Sequence, residues 1–391
     1  MEKRYIGLIR AKKPFMLPPM NNSAPPAANV VDWTHNGDRV PLSLRWLRME
    51  CPCFSCRVEQ TSERRWIPGR ADDFVATSID QSEGSIEIVW ASGHVTKYSP
   101  AQLQASFEVV NRAKLDTHLW GGGDEPTRFD HDAVCAGGPD RMDFLAMLLS
   151  EGVAILTGTP SIPGQVEVTM AALGLPLRET FSERVHDVRV DPAGYNIAHT
   201  AEGLPPHSDY PSYTHPPSGQ VLHMLENDCE GGDSLVVDGW QAASVLRETA
   251  SHLFEMLISV PVGFRQYSSD RESFARQPIV RLDPSGGIIG FRYSNQLMQP
   301  IAPTDPDFED WLDAYLALTD YLTNPANQRR FRLDGGDALF VHGHRVLHGR
   351  SQYIPNAARH LQDCYFDFDD VLATSDRLRG LARAKPVAAA S

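Results

Sequence analysis

The 391-residue chain lacks several features that would announce a class of protein. No apolar run approaches the roughly 18 residues needed to cross a bilayer, which argues against a membrane-spanning protein. There is no basic surplus: 36 Lys and Arg face 50 Asp and Glu, and the net charge is -14. A nucleic-acid partner would need a strong local basic patch against that background. The densest basic stretches, Arg10 to Lys13 and Arg329 to Arg332, are too short to form one. No G-x-G-x-x-G follows a strand-like run, which disfavours a dinucleotide fold. Cysteine is scarce, at 6 residues, and the N-terminal stretch MEKRYIGLIRAKK has no apolar signal core. A disulfide framework is therefore not expected, and a cytoplasmic location is.

What is present points to two folded parts. Residues 1–29 are rich in proline and small residues and read as a poorly ordered arm. Residues 30–110 alternate in short runs, with Asn36-Gly37 between two strand-like segments and a second hairpin in SIEIVWASGHVTKYS. This is a small β unit of the size that often needs a staple. Residues 111–139, including WGGGDEPTRFDHD, read as a linker, and 140–385 as a larger domain. There DRMDFLAMLLSEG places Phe144, Leu145, Leu148 and Leu149 on one helical face, and Gly152 can end the helix. DFEDWLDAYLALTDYL aligns Trp311, Tyr315, Leu318 and Leu322 as a core-facing stripe. VAILTG, VLHML, DSLVV, IIGFRY and ALFV read as strands. Many strands with a few flanking helices predict an α+β domain built on a β-sandwich or barrel.

Three of the cysteines, Cys51, Cys53 and Cys56, fall within CPCFSC. Thiolates at that density suit zinc, and His94, at the tip of the second hairpin, is placed to be a fourth ligand. A closed site of three cysteines and a histidine would be structural. The plainer alternative is three reduced cysteines near a turn.

The segment LPPHSDYP contains His207-x-Asp209, whose side chains share a face if the backbone is extended. Taken alone, that pair also fits a turn with a satisfied histidine. A third, distant histidine would complete two imidazoles and one carboxylate on one face of an octahedral iron(II) ion, leaving three positions open. HGHRVLHGR offers His342, His344 and His348. His342 and His344 at i and i+2 could be a metal pair of their own, or His348 could be the distant partner. Arg359 lies eleven residues beyond His348, and its planar fork suits a carboxylate.

CPCFSC, HSDYPSYTHPPSGQVLHML, GGDSLVVDGW, RVLHGR and ARHL together make residues 30 to 375 resemble the γ-butyrobetaine hydroxylase-like group of Fe(II)/2-oxoglutarate dioxygenases. The resemblance implies a mainly β protein with flanking helices, with a double-stranded β-helix (jelly-roll) catalytic domain and a small N-terminal zinc-binding β domain. It implies His207, Asp209 and His348 as iron ligands and Arg359 as the anchor of 2-oxoglutarate. It implies structural zinc on Cys51, Cys53, Cys56 and His94. O2 is the second cosubstrate, and succinate and CO2 leave with the hydroxylated product. A homodimer and a small-molecule substrate are implied as well; the charge balance and the lack of long apolar runs leave neither nucleic acid nor membrane as an expected partner. His342 and His344 then become neighbours able to hydrogen-bond near the site.

The same resemblance places substrate residues. A quaternary ammonium group would sit among aromatic faces. Tyr365 matches such a position, Tyr210 follows the H-x-D, and Tyr195 and Tyr213 lie nearby. Ser182, His186 and His199 stand where aromatic residues are expected. Asn196 matches a contact to the anionic end, and Arg292 stands near a second one. A fixed positive charge there favours a dianion, so 2-(trimethylammonio)ethylphosphonate is expected ahead of γ-butyrobetaine. A zinc hydrolase using the same three ligands, and a non-catalytic binding protein on an oxygenase scaffold, are the alternatives from other classes.

Overall fold

The computed structural model describes residues 29–378 apart from 36, 70, 112–116, 181–182, 192–193, 195 and 268–270. All but the last residue of the expected N-terminal arm lies outside that set, as does the C-terminal ARAKPVAAAS. The chain divides into two compact units, one running to Ala113 and the other from Lys114 to Ala382.

In the first unit, strand Val30–His35 pairs with Asp38–Ser43, and Gly37 takes the positive φ that so tight a return requires. Ser85–Trp90 is the middle of a three-stranded antiparallel sheet, with Ala76–Ser82 and Val95–Tyr98 at its sides. Its alternation is clear: Ile86, Ile88 and Trp90 face inward, while Ser85, Glu87 and Val89 are only partly covered. Those three inward residues meet Leu47 and Tyr98 in a small core, closed by the Pro100–Asn111 helix through Leu103. The Tyr98 hydroxyl donates to the Leu47 carbonyl, and the Trp90 indole donates to Thr96 Oγ1 at 2.8 Å.

The second unit is built on two sheets. A seven-stranded sheet includes Val153–Thr157, Ala338–His342, Gly219–Asn227 and Arg359–Phe366 as successive neighbours. A four-stranded sheet runs Leu204–His207, Val346–Arg350, Ser234–Asp238, Arg329–Phe331. Val236, Val346 and Phe331 of the smaller sheet meet Ile155, Met224, Leu339 and Val341 of the larger one, and this layer is the sandwich core. The outer face of the larger sheet is covered by helices Pro139–Glu151 and Gln165–Leu173. That of the smaller sheet is covered by Gly239–Thr249, Ser251–Ser259 and Phe308–Thr323. Ala338–His342 shows the consequence for sequence: Ala338 and Phe340 face the helices, and Leu339 and Val341 face the other sheet. Burial on both faces explains why ALFV is apolar without alternation.

The expected helices form. Gly152 ends Pro139–Glu151 in a left-handed conformation, and Phe144, Leu145 and Leu148 are buried. Trp311, Tyr315, Leu318 and Leu322 form the buried stripe of Phe308–Thr323. Among the described residues no helix is long and apolar enough to cross a membrane.

The expected linker over 111–139 is corrected. Arg128–Asp130 is a strand parallel to Val153–Thr157, and His131–Ala136 is a helix whose first turn is capped by Asp130 Oδ1. Trp120 is buried and donates from its ring to the Glu151 carbonyl. The glycines and aspartates of WGGGDEPTRFDHD hide a three-residue strand, which is too short to show alternation.

Asp238 and Arg345 form an ion pair at 2.8 Å with both side chains essentially inaccessible. Asp238 Oδ1 also caps the Gly239–Thr249 helix, and Arg345 donates to the Ser150 and His118 carbonyls. Removing one partner leaves the other charge buried and unpaired, which costs about 3–5 kcal/mol. Arg345→Met should therefore lower unfolding stability by about that amount in urea denaturation; a loss under about 1 kcal/mol would mean the pair is dispensable.

Candidate functional site

The first unit assembles one donor cluster. Cys51, Cys53 and Cys56 lie on the loop after the Leu44–Met49 helix, and His94 lies at the turn between strands Ser85–Trp90 and Val95–Tyr98. His94 Nε2 is 3.2, 3.8 and 3.7 Å from the three sulfurs in order. The Cys51 thiol, His94 and Arg48 together draw the Cys56 thiol well below its ordinary value, against the effect of burial. Three sulfurs and one imidazole nitrogen around a point fit a closed tetrahedral zinc site.

The second cluster lies in the other unit. His207 and His348 sit directly opposite each other on the antiparallel strands Leu204–His207 and Val346–Arg350. Gly349 allows these strands to approach: a Cβ there would lie 2.4 Å from the Leu204 carbonyl oxygen. Asp209 follows His207 by two residues, and the donor atoms of all three side chains lie within 4.8 Å of one another. His207 Nε2 is 3.3 Å from Asp209 Oδ1, and His348 Nε2 is 3.9 Å from Asp209 Oδ2. The His207 Nδ1–H donates to the Pro205 carbonyl at 3.0 Å, which leaves the Nε2 lone pair for a metal. Burial, then the neighbouring His207, pushes His348 down to about 4, so it is neutral and able to ligate at neutral pH. Burial raises Asp209, but the two imidazoles beside it, His207 and His348, and the hydrogen bond from the Tyr365 hydroxyl outweigh burial and hold the group well below the usual carboxylate range.

A cavity of about 650 Å³ opens over these groups. Arg359 enters it from the Arg359–Phe366 strand. It is 8% exposed, yet its Nε and Nη1 meet no hydrogen-bond partner. A buried guanidinium with open donors fits a carboxylate ligand. His207, Asp209 and His348 could thus hold iron(II), with Arg359 taking the far carboxylate of 2-oxoglutarate.

Other expected residues sort unevenly. Asn196, His199, Tyr210, Tyr365 and His186 all line the cavity. Tyr210 adopts a left-handed φ of 52°, and its ring meets that of Tyr365 edge-on at 4.8 Å. Tyr213 stacks near Tyr210 but is not part of the wall. Ser182 and Tyr195 lie outside the described residues. Arg292 is a correction: its Nη1 donates to the Pro211 and Tyr213 carbonyls, both at 2.7 Å, and its Nη2 to that of Thr214 at 3.3 Å. It ties down the loop beyond Asp209 and does not line the cavity, so its charge is not presented to a ligand there. His342 and His344 are also away from the cavity: His342 stacks on Phe368 at 4.0 Å, and His344 meets the Pro216 carbonyl.

Gln220 and Asp363 join the site without having been expected there. Gln220 Nε2 and the Tyr365 hydroxyl each donate to Asp209 Oδ2 at 2.7 Å, and Asp363 lies beside both. The sequence signal for Asp363 is the period of two: Arg359, Leu361, Asp363 and Tyr365 alternate along one strand, and all four line the cavity.

Comparison with known proteins agrees with this geometry. Residues 121–365 match the model of the taurine catabolism dioxygenase TauD, TfdA family. The chain belongs to that dioxygenase family. Residues 30–104 match the γ-butyrobetaine hydroxylase-like N-terminal model. A γ-butyrobetaine dioxygenase from Pseudomonas sp. (strain AK-1) is 30% identical over 92% of this chain and 96% of its own length. That of Homo sapiens is 28% identical over 85% and 90%. A mitochondrial trimethyllysine dioxygenase from Gallus gallus is 26% identical over 89% and 88%. The dioxygenase has the double-stranded β-helix fold and uses iron(II) and 2-oxoglutarate to hydroxylate a small substrate. Iron and its cosubstrates, when bound, would supply the oxidising power, and the residues of this cavity would hold, orient and enclose them.

Metal analysis separates the histidines and tests the cysteine cluster. Purified His348→Ala protein should lose iron(II) binding, while His342→Ala and His344→Ala retain it. Cys51→Ser should lose its zinc. Retained iron in His348→Ala, or unchanged zinc in Cys51→Ser, would overturn the corresponding assignment.

Proposed function

We propose that the dioxygenase hydroxylates a small zwitterion carrying a quaternary ammonium group, with γ-butyrobetaine as the substrate and carnitine as the product. His207, Asp209 and His348 bind the iron, and Arg359 binds the cosubstrate. The observation that carries these roles is the pair of open Arg359 nitrogens in the same cavity as the three ligand side chains. The relatives named γ-butyrobetaine dioxygenase support the substrate.

The chemistry of the cavity wall supports it too. The expectation of a phosphonate rests on Arg292, and Arg292 is committed to three main-chain carbonyls. Arg350 does line the cavity, but it donates to the carbonyls of Ile197, Ala198, Thr200 and Glu202. Among the described residues the wall also offers an anion the neutral side chains of Asn196, Gln266, Ser294 and Gln296. Neutral donors suit a monoanionic carboxylate better than a dianion. Asn196 Oδ1 accepts from the Ala198 amide, which leaves its NH2 group as the available donor.

Incubation of the iron enzyme with 2-oxoglutarate and either γ-butyrobetaine or 2-(trimethylammonio)ethylphosphonate decides between them. Succinate and hydroxylated product are expected from γ-butyrobetaine; turnover of the phosphonate alone would reverse the reading. A homodimer belongs to the same proposal, by resemblance. Light scattering should then report about twice the 43.4 kDa of one chain, and a monomeric mass would exclude it.

A further inference from the structure

Asp363 is an acidic side chain in the cavity wall, 6% exposed, with no permanent cation of the described chain beside it. Its strand places it opposite Leu222, next to the Gln220–Tyr365 pair. Asp363 Oδ1 accepts from His186 Nδ1 at 3.0 Å. Its Oδ2 accepts from the Tyr365 hydroxyl at 2.9 Å and from Gln220 Nε2 at 3.2 Å. The same hydroxyl and amide also reach Asp209 Oδ2, both at 2.7 Å. Two carboxylates therefore share one set of neutral donors. The tyrosine has a single proton and can serve only one of them at a time.

His186 offers Asp363 a titratable partner and not a permanent charge. Its Nδ1 faces Asp363, and its Nε2 lies 3.3 Å from both the Glu183 amide and Thr180 Oγ1. Burial lowers the proton affinity of the ring, but the hydrogen bond to Asp363 and the charge of that carboxylate outweigh it and raise the group above the ordinary histidine value. Among the described residues, His186 is the only basic group within 4.0 Å of the Asp363 carboxylate. Asp187, on the same wall, is already engaged by His360 and Gln362. Asp209 is placed to find its counter-charge in a metal ion. Among the described residues Asp363 meets no permanent cation, and a buried charge that lacks one is costly.

A cation entering the cavity would offset that charge. A quaternary ammonium group suits this carboxylate for a specific reason. It has no N–H to donate, and both Asp363 oxygens already accept hydrogen bonds, so what remains to be recognised is charge alone. We propose that Asp363 is the specificity-determining counter-charge for the cationic end of the substrate. His186, Tyr365 and Gln220 hold its carboxylate in place as hydrogen-bond donors. This rests on the reading of the substrate as a zwitterion with a fixed cation, but not on which zwitterion it is.

The test uses the full-length protein loaded with iron(II) and 2-oxoglutarate in the absence of O2, so that binding is read without turnover. The probes are γ-butyrobetaine, its neutral isostere with a tert-butyl group in place of trimethylammonium, and tetramethylammonium. The wild type should favour γ-butyrobetaine over the isostere by about tenfold or more, as expected for a close charge in a low-dielectric site. Asp363→Asn should shrink that preference to within about threefold and weaken tetramethylammonium by about tenfold, with 2-oxoglutarate affinity unchanged as the control for folding. An undiminished preference in Asp363→Asn overturns the proposal. So does a wild-type protein that binds the neutral isostere as well as the cation, a result that needs no variant to fold. If γ-butyrobetaine fails to bind while tetramethylammonium binding still depends on Asp363, the counter-charge stands and the substrate assignment falls.

Discussion

One antiparallel pairing holds the site together. His207 and His348 come from segments far apart in the chain and become direct cross-strand partners, with ring centroids 4.4 Å apart. Slipping that register by one residue would turn one imidazole to the opposite face of the sheet. Asp209 reaches the same point because the chain turns immediately after His207. Ser208 bonds to the Tyr293 backbone in both directions, and Tyr210 takes the left-handed conformation that completes the turn. The Tyr365 hydroxyl then ties Asp209 to the larger sheet, so the three side chains are braced from both layers of the sandwich.

Buried charge is the second organising constraint, and it sorts the arginines by role. Arg345 is matched by Asp238 and holds together segments remote in sequence. Arg292 and Arg350 spend their donors on main-chain carbonyls and fix the loops around the cavity. Burial pushes both guanidinium groups down to about 10, and nearby Arg281 and Arg359 respectively add to the effect. Of Arg292, Arg350 and Arg359, Arg359 alone keeps open buried nitrogens, at Nε and Nη1. Residue type is the same in all three, and Arg350 and Arg359 are equally buried; hydrogen-bond satisfaction tells them apart.

Much of this is legible in the sequence. CPCFSC is legible as a cluster because its three thiols share one loop, and His94 joins them from the tip of a hairpin. The helices at 139–151 and 308–323 are readable because a stripe repeating every three to four residues has one stable solution. The segment 111–139 reads as a linker because glycine and aspartate dominate it, while from residue 117 onward its order comes from partners elsewhere, Arg128 to Asp337 and Trp120 to Glu151. Arg292 misleads because a cation near a binding motif looks the same whether it meets a ligand or a carbonyl.

Residue chemistry and local spacing are enough to establish which groups can bind metal, which segments are helical, and which residues alternate onto one face of a strand. The tertiary structure decided what lies opposite each face. It brought His348, rather than His342 or His344, against His207, turned Arg292 away from the cavity, and set Asp363 beside Tyr365 and His186. The physical reason is that alternation is a property of one strand, whereas register and facing partners depend on pairing between strands distant in sequence, which no local pattern encodes.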